Sequence, residues 1–507
     1  MSQFTNPFTL AVDSQWVHPG PDGKLVLKTT PAGDRIMDFS FAGYGGGGVP
    51  LPHVPAKATV RPSSGEDDTA TIQAAIDQVA ALPLQDGFRG AVLLAPGIFQ
   101  CSRTITISAS GIVLRGSGSG VDGGTRSTIR MTGQPHLAIL VRAPADGGAR
   151  QDPGSARAVI ADAYVPSGST TFTVDDAECF AVGDTVLIHR PVTPAWIRLM
   201  QMDDLVCDGQ PQTWLKAGNT LTTERRIAAI SGNTLTVDVP LSDSFDARYL
   251  NPPRTAVVKI APPQRLSQVG LEDLHIQSPP QAIRQTQPHF MALRMTGEDC
   301  WVRDLLMQET MNSVAVGGRR ITLQRVAVKR KALHQGASRP AEFASNASEL
   351  LLDRCTVTAD NVSYVATGSG QAGPIVLLNC IFTGDGHVEA QQRWSTGMLI
   401  DNCRVPRGAV DLCNRGTMGA GHGWPMGWGV AWNCIADHYT IQNPPGAANW
   451  MIGCIGRSKL APRPGGPAAN LPEGIVDSPG VAVTPQSLYM AQLVQRLGPQ
   501  ALKDLGY

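Results

Sequence analysis

The chain has 507 residues, enough to bury a large core, and its 42 Lys and Arg balance 42 Asp and Glu. A neutral chain is not built as a whole to hold nucleic acid or an anionic membrane, so a preference for a charged ligand must be local. No window approaches 18 uninterrupted apolar residues, which excludes a membrane-spanning helix.

Gly (54) and Pro (38) punctuate many short segments, the mark of a β-rich chain with frequent turns. Residues 1–60 form a lead-in without a long periodic segment, carrying GYGGGGVPLP at 43–52, and are expected to drape over the body. MSQFTNPFTL lacks the charged and apolar regions of a secretory leader. The expectation is a secreted or periplasmic protein whose leader is replaced by Met1, or else a cytoplasmic one.

Residues 61–149 begin with a helix. Asp67 or Asp68 can cap it, and Ile72, Ile76 and Val79 recur at i, i+4, i+7. Short apolar runs follow (92–94, 105–107, 112–114), broken by PG and SG turns. Residues 150–257 change character. Alternating apolar and polar residues with SG and GN turns predict antiparallel hairpins, an inserted β-subdomain. Its middle, WIRLMQMDDLVCDGQPQTWLKAG, could hang over a groove as a lid or pack on the side of the scaffold.

Residues 258–460 repeat themselves. LLDRCTV, VLLNCIF, LIDNCRV and VAWNCIA each place a Cys after a short apolar run, and MIGCIG is a weaker copy. With Leu274, Leu305 and Val326 at the Cys position, the series continues through Cys355, Cys380, Cys403, Cys434 and Cys454. The mean step of about 26 residues is a solenoid period. The units have period 2 and no helical pattern, so the solenoid is a parallel β-helix. Cysteines in phase with apolar neighbours predict buried free thiols, and no CxxC spacing suggests zinc. Asn379, Asn402 and Asn433, each just before its Cys, predict a stacked Asn ladder in left-handed backbone. Residues 461–507 hold a loop and then a helix with Leu488, Ala491, Leu493 and Leu497 on its apolar side and Gly498 as stop. It should pack on the scaffold or close its far end.

DDTATIQAAID, GAVLLAPGIF, ITI and GIVLRGSG resemble the start of pectate-lyase-superfamily (pectin lyase-like) proteins, and SLYMAQLVQRLG resembles their tail. RWSTGMLIDN, NRGTMGAGHGW and PPGAANWMIGC are similar to bacterial members of the carbohydrate-active type. The resemblance implies an all-β fold, a right-handed parallel β-helix with an N-terminal capping helix, the inserted antiparallel subdomain and a C-terminal helix. It also implies a carbohydrate context. The Asp pairs of polygalacturonases and the Asp cluster for the calcium of pectate lyases are not apparent. No metal ligands are assigned, and calcium stays open as a cofactor.

Chemistry is expected where turns lengthen. The 403-to-434 step contains DLCNRGTMGAGHGWPMGWG, which holds six glycines and presents Arg415, His422, Trp424 and Trp428. The preceding turn offers Asp385, His387, Glu389, Arg393 and Trp394, and the following one His438, Gln442, Asn449 and Trp450. Aromatic faces stack on sugars, His shuttles protons and Arg grips carboxylates. From Arg319 to Ala341 seven Lys and Arg plus His334 occur without an acid, followed by Glu342 and Asn346. This strip suits a uronic-acid polymer, or is a face partnered by acids elsewhere.

The leading expectation is a polysaccharide lyase acting by β-elimination on an acidic polysaccharide or oligosaccharide. Arg393 and Arg415 would neutralise the carboxylate. Lys331, His334 or His422 would be the base, and His422 or a water the acid. Trp394, Trp424, Trp428, Trp450, Asn449, Gln442, Glu342 and Glu389 would bind substrate. One alternative is a glycoside hydrolase with paired carboxylates among Glu342, Asp360, Asp385, Glu389 and Asp437. Another is a non-catalytic glycan-binding solenoid.

Overall fold

A short strand, one residue in left-handed backbone, one buried side chain and a second short strand recur along the chain. The left-handed residues are Asp273, Asp304, Arg325, Arg354, Asn379, Asn402, Asn433 and Gly453, with φ between 48° and 66°. Each precedes one of the eight marks from Leu274 to Cys454, and every mark is at most 1% exposed. A single left-handed residue turns the chain sharply without breaking either strand. Repeated once per coil, it stacks corner on corner.

The computed structural model describes residues 11–120, 123–144 and 155–507. It is a right-handed parallel β-helix with three faces. On the first face, 350–353 pairs in parallel with 321–324 and 375–378. On the second, Thr356–Thr358 lies between Ala327–Lys329 and Ile381–Thr383. On the third, the first part of Ala341–Asp353 lies between the first part of Val314–Gln324 and Ser363–Thr367.

All ten cysteines are free. In the ladder each thiol donates to a carbonyl of the coil before: Cys355 to Leu323 O at 3.3 Å, Cys380 to Leu352 O at 3.5 Å, Cys403 to Leu377 O at 3.4 Å, Cys434 to Ile400 O at 3.1 Å and Cys454 to Ala431 O at 3.4 Å. Of the Asn ladder, Asn402 Nδ2 donates to Asn379 Oδ1 at 2.6 Å. Asn433 departs from it, its amide donating to Val483 O and Gln486 O of the C-terminal segment.

The capping helix is Thr69–Ala80, with Ile72, Ile76 and Val79 buried on the first coils. Asp67 does the work of its cap, accepting from Thr69 N at 2.9 Å, while Asp68 accepts from Ser63 N and Gln100 N. The C-terminal helix Leu488–Leu497 packs on the outside of the first face, together with Trp16, Ile36 and Phe39 of the lead-in. Its buried side chains are Leu488, Tyr489, Gln492 and Leu493; Leu497, expected on the apolar side, is exposed.

The insertion leaves the β-helix after Leu137–Val141 on the third face and returns at Gly270–Glu272 on the first. It therefore sits on the corner that joins the third face to the first. Its six-stranded sheet runs from Arg157–Val159 to Ala256–Lys259, all pairs antiparallel. The expected leader region at 1–10 and the expected boundary at 150 lie outside the described residues. The segment read as a possible lid is packed: Trp196, Met200, Met202, Leu205 and Trp214 share a core with Trp394 and Trp424 of the coils. Arg225, with no exposed surface, ties the two bodies. It donates to Val239 O and Pro240 O of the insertion and to Gly373 O of a coil.

Candidate functional site

The outer side of the third face carries a cluster of titratable groups in which Glu389 is buried and His387, Asp411 and His438 are half-buried. Val388, Val410 and Tyr439 point into the core and are buried. Their alternation partners therefore point outward. Glu389, Asp411 and Thr440 stand in register on three adjacent strands, and beside them run His387, Ala409 and His438. Neighbouring strands are roughly 4.8 Å apart, so Glu389 and Asp411 are adjacent carboxylates on one surface.

His387 Nδ1 lies 2.5 Å from Asp411 Oδ2. The rings of His387 and His438 meet edge to face at 6.1 Å. Glu389 accepts from Ser363 Oγ and from Arg415 Nη1. Burial of the Asp411 carboxyl works to raise its pKa, but hydrogen bonds from His387 and Thr440 and the charge of His387 together outweigh it and hold the group below its ordinary value.

The loops from the third face to the first rise beside this cluster. In the enlarged one, Gly416, Gly419, Ala420, Gly421 and Gly423 all have positive φ, which the glycines permit. Arg393 reaches across from the neighbouring coil and donates to Ala420 O at 2.9 Å. Burial, then the charges of Arg415 and Arg393, push the pKa of His422 down to about 4. So Arg393, Arg415, His422 and Glu389 come together as their positions in the repeat suggested.

Other expected residues lie elsewhere or do other things. Trp394, Trp424, Trp428 and Trp450 are at most 4% exposed. Their faces pack on protein: Trp394 and Trp424 under the insertion, Trp428 and Trp450 under the lead-in. Asn449 and Gln442 are buried turn braces. Asn449 holds Met426 O, Gln442 O and Gly429 N, while Gln442 holds Asn414 N and Ala461 O. Lys331 and His334 occupy a loop from the second face to the third, at the other end of the third-face strands. That loop lies three coils from His422, roughly 14 Å along the stack. Glu342 is fully buried, 3.1 Å from Arg330 and 2.6 Å from Ser313 Oγ. The basic strip is largely neutralised: Arg319 pairs with Glu224 and Glu349, Arg320 with Glu298 and Asp299, and Arg325 with Asp304. Long-range acids that no local window shows are the reason.

Sequence reasoning passed over Asp411. A signal existed: Glu389 and Asp411 are 22 residues apart, close to the Cys380-to-Cys403 step of 23. Carboxylates separated by one coil length share a face. Among the described residues no group of three or more His, Cys, Asp or Glu is placed to hold a metal ion.

No protein-family profile matches the chain, and no curated protein sequence does. Solved structures are similar at low identity. The tailspike protein gp49 of Pseudomonas phage LKA1 is 14% identical over 76% of this chain and 56% of its own, with a TM-score of 0.42. A polygalacturonase from Erwinia carotovora ssp. carotovora is 10% identical over 81% and 95%, at 0.31. The DFA-IIIase of Arthrobacter chlorophenolicus A6, solved with DFA-III, is 11% identical over 87% and 88%, at 0.32. The chain thus spans little more than half the tailspike's length.

Proposed function

We propose that the protein is a carbohydrate-active enzyme that cleaves a polysaccharide or oligosaccharide by hydrolysis on the third face. The observation that carries this reading is the register of Glu389 with Asp411 on adjacent strands. Glycoside hydrolysis needs two carboxyl groups flanking the scissile bond, one anionic and one protonated. Asp411, held anionic by His387, is the nucleophile or base. Glu389 is the second carboxyl of the pair, accepting from Ser363 Oγ and Arg415 Nη1. Its partner Arg415 sits on the loop beside the face. His438 lies at the edge, against Asp437 at 3.0 Å.

Elimination on a uronate glycan is the second reading, favoured by one arrangement. His422, neutral above about pH 5, has Arg393 and Arg415 beside it. Two guanidinium groups next to a neutral imidazole suit neutralisation of a carboxylate and removal of the neighbouring proton. Both cations, however, already have partners, in Ala420 O and Glu389.

Digestion of a panel of neutral and acidic glycans separates the two. Hydrolysis yields reducing ends without a 4,5-unsaturated ultraviolet-absorbing product, and Asp411→Asn and Glu389→Gln each lower turnover by ~100-fold or more. An unsaturated product abolished by His422→Ala would establish elimination instead. Binding without any cleavage would overturn both.

A further inference from the structure

A second cavity, of about 470 Å³, lies where the insertion meets the coils and the lead-in. Its size falls in the span of about 300–1,000 Å³ usual for small-ligand sites, and such sites favour junctions between bodies. The wall is aromatic and rigidly held. Arg190, 5% exposed, lies 3.8 Å over the ring of Trp196 and 3.0 Å from Asp243. Asp243 in turn accepts from the indole nitrogens of Trp394 at 2.9 Å and Trp428 at 3.3 Å. Opposite stands Asp34, fixed by Tyr164 Oη at 2.7 Å and Ser167 N at 2.9 Å. Half-buried Tyr249 lines the cavity too, with exposed Ala32 at its edge.

Two features point to a ligand and to its class. The Arg190 side chain lines the cavity and, beyond its 3.0 Å contact with Asp243, its guanidinium has unpaired donors, Nη1 among them. The lining carries the carboxylates of Asp34, Asp243 and Asp246 against the guanidinium groups of Arg190 and Arg248, so it does not favour an anion. The half-buried rings of Tyr164 and Tyr249, the fixed carboxylates and the unpaired guanidinium donors match the C–H faces and hydroxyls of a sugar. We infer that this cavity binds one neutral sugar unit, as a subsite separate from the third-face cluster. The ligand class follows from the lining itself and does not depend on the reaction proposed for Glu389 and Asp411.

Titration by saturation-transfer NMR with glucose, galactose, their disaccharides and galacturonate tests it. The expected result is binding of a neutral sugar that galacturonate does not displace. Ala32→Trp, at an exposed position, and Tyr249→Ala should each weaken it ~10-fold or more without moving the thermal midpoint. Asp411→Asn should leave the binding intact, so a failure of the catalytic reading and a failure of this one give different results. Absence of neutral-sugar binding at tens of millimolar, unchanged binding in Ala32→Trp, or tighter binding of galacturonate overturns the inference.

Discussion

The Cys403 thiol has no exposed surface and reaches only backbone carbonyls, Leu377 O at 3.4 Å and Asp401 O at 3.5 Å. That is enough for a small, weakly polar group in a dry stack, and it explains why the repeat tolerates Cys and Leu at one position. Cys179 is exposed, while Cys207 and Cys413 are half-buried. A maleimide should therefore modify Cys179 first in the native protein. The ladder Cys355, Cys380, Cys403, Cys434 and Cys454 should react only in denaturant, where all ten thiols become available. Mass spectrometry of peptides from native labelling checks this; early modification of any ladder thiol would contradict the stacked core.

At the scale of the element, the docking of Leu488–Leu497 onto the first face depends on Asp401. Its carboxyl is fully buried and accepts from Ser487 Oγ at 2.7 Å and Tyr489 N at 2.8 Å. Burial raises its pKa from 3.8 to about 7, against those hydrogen bonds. A carboxyl whose folded pKa lies above its unfolded value contributes stability that is fully present below the unfolded pKa. That stability is lost as pH rises through the folded one. Urea-unfolding stability should thus fall between pH 4 and about 7 by up to ~4 kcal/mol and then level off. Asp401→Asn should remove that slope, and an unchanged slope in the variant would place the effect in another group. Part of this element was readable in advance. The Leu488 and Leu493 periodicity and the Gly498 stop hold, but the helix buries Tyr489 and Gln492, because Gln492 bonds Met37 O and Phe39 N of the lead-in. Nothing local to the helix encodes that lead-in partner.

At the scale of the whole molecule, the inserted sheet is a wedge on one corner of the β-helix. It buries tryptophans that would otherwise line an exposed patch, and Arg225 fastens it. Arg225→Met leaves the carbonyls of Val239, Pro240 and Gly373 without their donor, at a cost of ~3 kcal/mol. Limited proteolysis should then cut within 157–259 well before the coils, and faster than in the wild type. Equal cleavage rates would show that apolar packing alone holds the wedge.

The sequence by itself determined the coil spacing from Leu274 to Cys454, the left-handed Asn379, Asn402 and Asn433 and the buried thiols of the ladder, because a solenoid stacks each coil on its neighbours and so repeats its demands along the chain. It also located the loop of Arg415 and His422 and the neighbouring Arg393 and Glu389, since one coil length returns the chain to the same face. Only the tertiary structure decided which tryptophans are core, which arginines are neutralised and that Asp411 stands beside Glu389. Those outcomes depend on partners such as Glu224 for Arg319 and Asp243 for Trp394, which lie far away in sequence and join only when the insertion folds back over the coils.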